Sequence, residues 1–261
     1  MIDESQFAAT LSRRRPGTVW QRFEMAESVR PVWVCLPASA SSSAGLAYPV
    51  IYLEGGQEWF GDEACGLALD AWTDELVRRG HLAESILVAT GCDPQAGIAD
   101  FSPEQGGGRR TEFLVNHLIP SIEAAFPAIP HRSARVLAGT ALGALHALDT
   151  VRRHPFTFGG VAGWSTSFED LSQAPPAACG FLRAWEDSAP PPGGLKIALI
   201  YGAQGLDECY EGYHRDFETL LANVGWRKGH DFSVTRHLQG GHGPEHWRLQ
   251  IGTPLAFVTR R

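Results

Sequence analysis

The sequence predicts an α/β architecture, a mostly parallel central sheet with helices on both faces. Two observations carry this. Short runs such as Pro49-Val-Ile-Tyr-Leu53, Ser85-Ile-Leu-Val-Ala-Thr90, Ala134-Arg-Val-Leu-Ala138 and Leu195-Lys-Ile-Ala-Leu-Ile-Tyr201 are apolar nearly throughout. A strand with one wet face alternates, so a continuous run marks a strand buried on both faces. Between the runs lie segments whose apolar residues recur at helical spacing. A length of 261 residues with 44% apolar content is enough for one domain spanning 1–261.

The elements follow in order. Residues 18–29 and 31–37 read as an antiparallel pair leading into the sheet, and 38–47 as a turn of small residues. The strand Pro49–Leu53 ends at Gly55-Gly56. Residues 63–79 predict a helix with Cys65, Leu69, Trp72 and Leu76 on one face and Gly80 at the C-terminal cap. After the strand Ser85–Thr90, residues 93–110 are rich in Gly and Pro and read as a long loop, a feature often functional in compact domains. Within it Gly106–Arg110 reads as flexible. No strand leads directly into it and no Gly-Lys-Ser/Thr follows, as a phosphate loop would need. Residues 111–126 are helical along Val115, Leu118, Ile119, Ile122 and Phe126, with a kink expected at Pro120.

The strand Ala134–Ala138 runs into a helix ending near Arg153, and Phe158–Ala162 is the next strand. Residues 172–194, rich in Ala and Pro, predict a lid or surface excursion. Leu195–Tyr201 is a strand. Residues 208–224 form a helix through Tyr210, Tyr213, Phe217, Leu220 and Val224, closed by Gly225. Phe232–His237 alternates as a final strand, and a last helix begins near Pro244.

A net charge of −7 and a pI near 5.8 argue against a nucleic-acid partner, which requires a basic face. No apolar run approaches the ~18 residues of a membrane span, and the acid-first N-terminal segment predicts no secretory leader. Five cysteines, odd in number and without C-x-x-C spacing, argue against a disulfide framework. They point to a cytoplasmic setting, with Cys35 and Cys92 as buried strand residues.

The chemistry concentrates around Gly139-Thr-Ala-Leu-Gly143. A strand enters a Gly-x-X-x-Gly turn and a helix leaves it, the pattern of a nucleophile elbow. Its central position holds Ala141, whose methyl group cannot attack a carbonyl. Further on, Asp207-Glu208 follows a strand, and His242, flanked by glycines, follows the last strand. The order nucleophile, acid, base is that of the elbow hydrolases. Either Asp207 or Glu208 can orient the histidine. Oxyanion donors are expected from the Leu142 N–H and from the loop Glu54–Trp59, at Gly56 or Gln57. His242 and His246 are four apart, but Gly243-Pro244 opposes a helix through both, so no metal is expected. Trp59, Ser165 and Trp247, with Trp164 and Ser167, are candidates for lining a substrate pocket.

Several segments together resemble a known family. VWVCLP followed by YPVIYLEGGQEW, TEFLVNHLIPSIEAAFP, VLAGTALGALHAL, FGGVAGWSTSF and GGHGPEHWR are similar to the putative-esterase family. That family includes esterase D, feruloyl esterase modules and the enterochelin (siderophore) esterases. The resemblance implies the α/β-hydrolase fold, His242 as base, Asp207 as acid and Ala141 at the nucleophile position. It implies a small-molecule ester, acyl or cyclic lactone, as substrate, and no cofactor. The loop IADFSPE at 98–104 lacks the family's Arg-x-x-Glu pattern. Three accounts of Ala141 follow: an engineered Ser→Ala form of an esterase, a natural pseudoenzyme that binds an ester or a partner, or a site using His242 and Asp207 for acid–base chemistry without acylation. In all three the chain as written is expected to be inactive on esters.

Overall fold

The structure is a computed structural model that describes residues 21–25, 28–41, 45–59, 67–170, 177–178 and 180–260. Parts of four expected elements lie outside them: 18–20 of the first strand, 42–44 of the turn, 63–66 of the first helix with Cys65, and 172–176 with Cys179.

Eight strands form one sheet. They are β1 (Gln21–Met25), β2 (Ser28–Cys35), β3 (Val50–Glu54), β4 (Ile86–Thr90), β5 (Arg135–Thr140), β6 (Gly160–Trp164), β9 (Lys196–Gln204) and β10 (Phe232–Gly241), in the spatial order β1-β2-β4-β3-β5-β6-β9-β10. β7 (Glu169–Asp170) and β8 (Ala177–Ala178) pair separately. β2 runs antiparallel to β1 and β4, and all other neighbours in the large sheet are parallel. The parallel order reverses at β3, with chain crossovers on both sides, so the C-terminal ends of β3, β5, β9 and β10 share one edge.

The apolar runs are buried on both faces because alternate residues feed two cores. Val50, Tyr52, Val88, Leu137, Val161 and Leu199 pack on one side against Leu145 and Leu148 of the helix Ala141–Arg153. Ile51, Leu53, Leu87, Val136, Ala138 and Ile200 pack on the other against Leu69, Leu255 and Val258. Gly80 takes φ +71 after the helix Leu69–Arg78, and His81 N–H reaches back to the Leu76 carbonyl, closing the helix as expected.

Three expectations are corrected and one, at Pro120, gains a detail. The 93–110 segment is folded: a 3-10 turn spans Gly97–Phe101 and a helix begins at Gly107. Its glycines serve close packing, since a Cβ at Gly106 would sit 2.7 Å from Asp100 Cα and one at Gly107 would sit 2.7 Å from the Ser102 carbonyl oxygen. Pro120, where a kink is expected, stands in a helical run that continues from Gly107 to Ala125. The π-helical turn Phe113–Leu118 before it accommodates the missing N–H. The described part of 172–194 holds the helix Phe181–Ser188, which buries Phe181 and Trp185 against Phe217 rather than covering a site. Cys92 follows β4 instead of lying in it and is half-buried, whereas Cys35 is buried in β2. Among the described residues no helix is long and apolar enough to cross a membrane.

Candidate active site

β5 ends at Thr140 and the next residue, Ala141, opens the helix Ala141–Arg153 with φ +47. A non-glycine residue in the left-handed region is strained by roughly 1–2 kcal/mol. The turn is held by close packing on both sides. A Cβ on Gly139 would lie 2.3 Å from the Gly143 carbonyl carbon, and one on Gly143 would lie 3.1 Å from the Glu54 Cβ. The glycine spacing therefore reflects strand, turn and helix pressed together, and the side chain at 141 is carried on a sharp bend. Leu142 stands in the first turn of the helix, where backbone N–H groups have no intrahelical acceptor.

Asp207 lies in the 3-10 turn Gly205–Tyr210 after β9 and is fully buried, whereas Glu208 is exposed. His242, just past β10, donates Nδ1–H to Asp207 Oδ1 at 2.8 Å. The other carboxylate oxygen accepts the Gly202 N–H at 2.6 Å and the Ser165 hydroxyl at 2.5 Å. Burial alone would raise the Asp207 pKa, but the hydrogen bonds from His242, Ser165 and Gly202 outweigh it and hold the carboxyl below its ordinary value. Of the two adjacent acids, Asp207 meets the histidine and Glu208 does not.

Ser165 is not a pocket-lining residue. It is 1% exposed, takes φ +49, and accepts the Trp247 indole N–H at 2.7 Å while donating to Asp207. Trp247 packs edge-on against the His242 ring at 5.0 Å. Trp59 is likewise corrected: it is fully buried, donates its indole N–H to the Glu54 carbonyl at 2.7 Å and packs edge-on to the buried Trp164, leaving no face for a ligand. Ser167 bonds back through its N–H to the Ala141 carbonyl at 3.2 Å and accepts the Tyr210 hydroxyl at 3.3 Å. The Tyr210 ring in turn lies 5.8 Å from that of His242. Ala141 and His242 are therefore connected through two intervening residues, Ser167 and Tyr210.

The loop after β3 carries Gly55 at φ +121 and Gly56 at φ +66. A Cβ on Gly56 would lie 2.9 Å from Gly91 Cα and 3.0 Å from the Trp33 ring, so packing as well as conformation requires glycine there. Beside it Glu58 accepts the Thr140 hydroxyl at 2.9 Å. Burial pushes this carboxyl up to about 7, and the Thr140 bond offsets only part of that.

Sequence reasoning missed a buried charge network under the site. Glu54 bonds His146 Nδ1 at 3.0 Å and pairs with Arg110. Arg110 donates to Asp100 at 2.9 Å and to the Gly91 and Thr90 carbonyls, and Arg30 also pairs with Asp100. His146 Nε2 faces the Gly107 carbonyl at 3.1 Å. Burial would raise the Asp100 pKa, yet Arg30 and Arg110 bring it down to about 2. The one available signal was Glu54 itself, a charge ending an apolar strand. Among the described residues no cluster of three or more His, Cys, Asp or Glu is arranged to hold a metal ion, and His246 Nε2 lies 3.7 Å from Glu245.

A family model described as "Putative esterase" matches residues 24–251. Solved structures are similar in fold. A ferulic acid esterase aligns at TM-score 0.73 and 20% identity over 93% of this chain and 97% of that one. The enterochelin esterase from Shigella flexneri aligns at TM-score 0.71 and 18% identity over 95% of this chain, which spans only 59% of that protein. A serine-to-alanine mutant of the feruloyl esterase module from Clostridium thermocellum, complexed with sinapinate, aligns at TM-score 0.68 and 13% identity over 96% of this chain and 91% of that one. The fold is that of the α/β-hydrolases. No curated protein matches the chain in sequence.

Proposed function

This chain belongs to the putative-esterase family, and from that premise we propose that its site is that of a serine-type carboxylic-ester hydrolase lacking its nucleophile. The observation that carries the reading is the 2.8 Å bond from His242 Nδ1–H to the buried Asp207, in a chain that also has an elbow whose central residue is strained as a nucleophile would be. That bond fixes the tautomer with Nε2 free to accept a proton. With serine at 141, Nε2 would take the hydroxyl proton as the oxygen attacks the ester carbonyl. The N–H groups of Leu142 and Gly56 would receive the resulting oxyanion, and the protonated imidazole would return the proton to the leaving alcohol.

Ala141 removes the attacking atom and leaves the rest. We therefore read the chain as one domain that accommodates a small ester and does not acylate. The retained acid and base favour a Ser→Ala form of a working esterase over a site drifting away from hydrolysis. The substrate is to be sought first among simple acyl and cyclic esters.

The test compares p-nitrophenyl ester hydrolysis by this chain and by Ala141→Ser. Loss of a serine nucleophile lowers turnover by on the order of 10⁶, so the serine form should gain several orders of magnitude. A folded serine form as inert as the parent would overturn the proposal.

A further inference from the structure

A second site lies on the opposite edge of the sheet. The residues that open the parallel strands, from Pro49 before β3 to Asp231 before β10, border a cavity of about 710 Å³. The candidate active site sits at the other ends of the same strands. β5 alone separates the two edges by six residues, about 20 Å at the usual rise per residue. The volume is in the range of small-molecule pockets.

Its chemistry is two-sided. Ile51, Val136, Leu195 and Val258 supply an apolar wall. Lys196 and Arg260 stand at its border, both within about 6 Å of the Phe257 ring, at 6.0 Å and 5.9 Å. Lys196 Nζ also donates to the Arg260 carbonyl. Among the described residues neither cation lies in an ion pair with a carboxylate. The acid in the lining, Asp231, is already engaged by Arg227 at 3.1 Å and by His230 at 2.7 Å. Two cations with no carboxylate partner among the described residues, beside an apolar hollow in a chain of net charge −7, mark a place where local charge runs against the whole.

We propose that this far-edge cavity binds a monocarboxylate with an apolar body, the hydrocarbon seated on Ile51, Val136, Leu195 and Val258 and the carboxylate held by Lys196 and Arg260. The arrangement suits that class because an apolar body gains from leaving water while the charged head stays at a mouth that offers paired donors. A neutral ligand would leave the cations unused, and a small inorganic anion would leave the hollow unfilled.

The probe is sodium decanoate, titrated calorimetrically into the full chain, with 1-decanol as the uncharged control. Saturable binding of decanoate is expected, about tenfold or more tighter than decanol. The double variant Lys196→Gln, Arg260→Gln changes two side chains that are not fully buried and should fold as the parent does by circular dichroism. It should weaken decanoate by about tenfold and leave decanol unchanged. His242→Ala, at the other edge, should bind decanoate as the parent does. Absence of saturable binding at millimolar decanoate overturns the proposal. So does a folded double variant that binds as tightly as the parent, or loss of binding in His242→Ala alone, which would place the ligand in the candidate active site.

Discussion

Glu54 and His146 stand 92 residues apart in the chain and meet at 3.0 Å in the interior. Glu54 is the last residue before the Gly55-Gly56 loop, and His146 lies in the helix that Ala141 opens. Their bond thus ties the proposed oxyanion loop to the elbow. Arg110 still pairs with Glu54 when His146 is removed, so the loss is that of a buried hydrogen-bond partner, about 1–3 kcal/mol. His146→Ala should show a loss of that order in urea unfolding. A double-mutant cycle with Glu54→Gln should reveal a coupling above about 0.5 kcal/mol, whereas additive losses would mean the two residues act separately.

In the Ala141→Ser background, Asp207→Asn should preserve the fold and lower kcat by about 10⁴, because the amide no longer fixes the productive tautomer of His242. Steady-state kinetics on a p-nitrophenyl ester measures it. An effect below tenfold would show that Asp207 does not support the histidine.

Ser165 donates to Asp207 and accepts from Trp247. In the same serine background, Ser165→Ala should raise the Asp207 pKa, since one of the bonds lowering it is lost. A fall of about tenfold in kcat with little change in KM is expected, together with a changed acid limb of the pH–rate profile. A purely packing role would leave that limb unmoved.

His214 is buried against Tyr201 and Phe168, and its pKa is lowered to about 4 by burial, against the raising effect of its bond to the Tyr210 carbonyl. The folded state therefore binds fewer protons there than the unfolded chain, whose histidine titrates near 6.5. Its contribution is full above about 6.5 and is lost as pH falls towards 4. Chemical denaturation at pH 7 and at pH 4.5 should show a drop that is smaller in His214→Gln.

Glu58 titrates in the opposite sense. Burial raises its pKa to about 7, so the fold favours the protonated acid. Its contribution is complete below the unfolded value of about 4.3 and declines as pH rises through about 7. Glu58→Gln should gain stability relative to the parent at pH 8 and not at pH 4, a comparison that melting curves at the two values decide.

The parallel strands and most helices were legible because burial on both faces leaves an unmistakable apolar run, as in Val50–Leu53, and because Gly80 and Gly225 mark helix ends. The pairing of His242 with an acid was legible as chain order. Chain order alone left the acid open, and only the family resemblance pointed to Asp207, because two adjacent carboxylates differ only in the direction a 3-10 turn gives them. The 93–110 segment was misread for a related reason. Its glycines and prolines signal irregular backbone, yet Gly106 and Gly107 are there to admit a neighbouring backbone, a demand set by residues far away in sequence. Ser165 could not be assigned from sequence either, since its role depends on Asp207 and Trp247 arriving from later elements.

The left-handed backbone at Ala141 is enforced by Gly139, Gly143 and the Glu54 strand, none of which depends on a hydroxyl at the centre. The bend therefore outlives the chemistry it would serve. Alanine and serine codons can differ by a single base, so a one-letter change in the gene would deliver an oxygen to a position whose backbone is already set. On the proposed reading of the site, supplying the hydroxyl asks for one atom and no refolding.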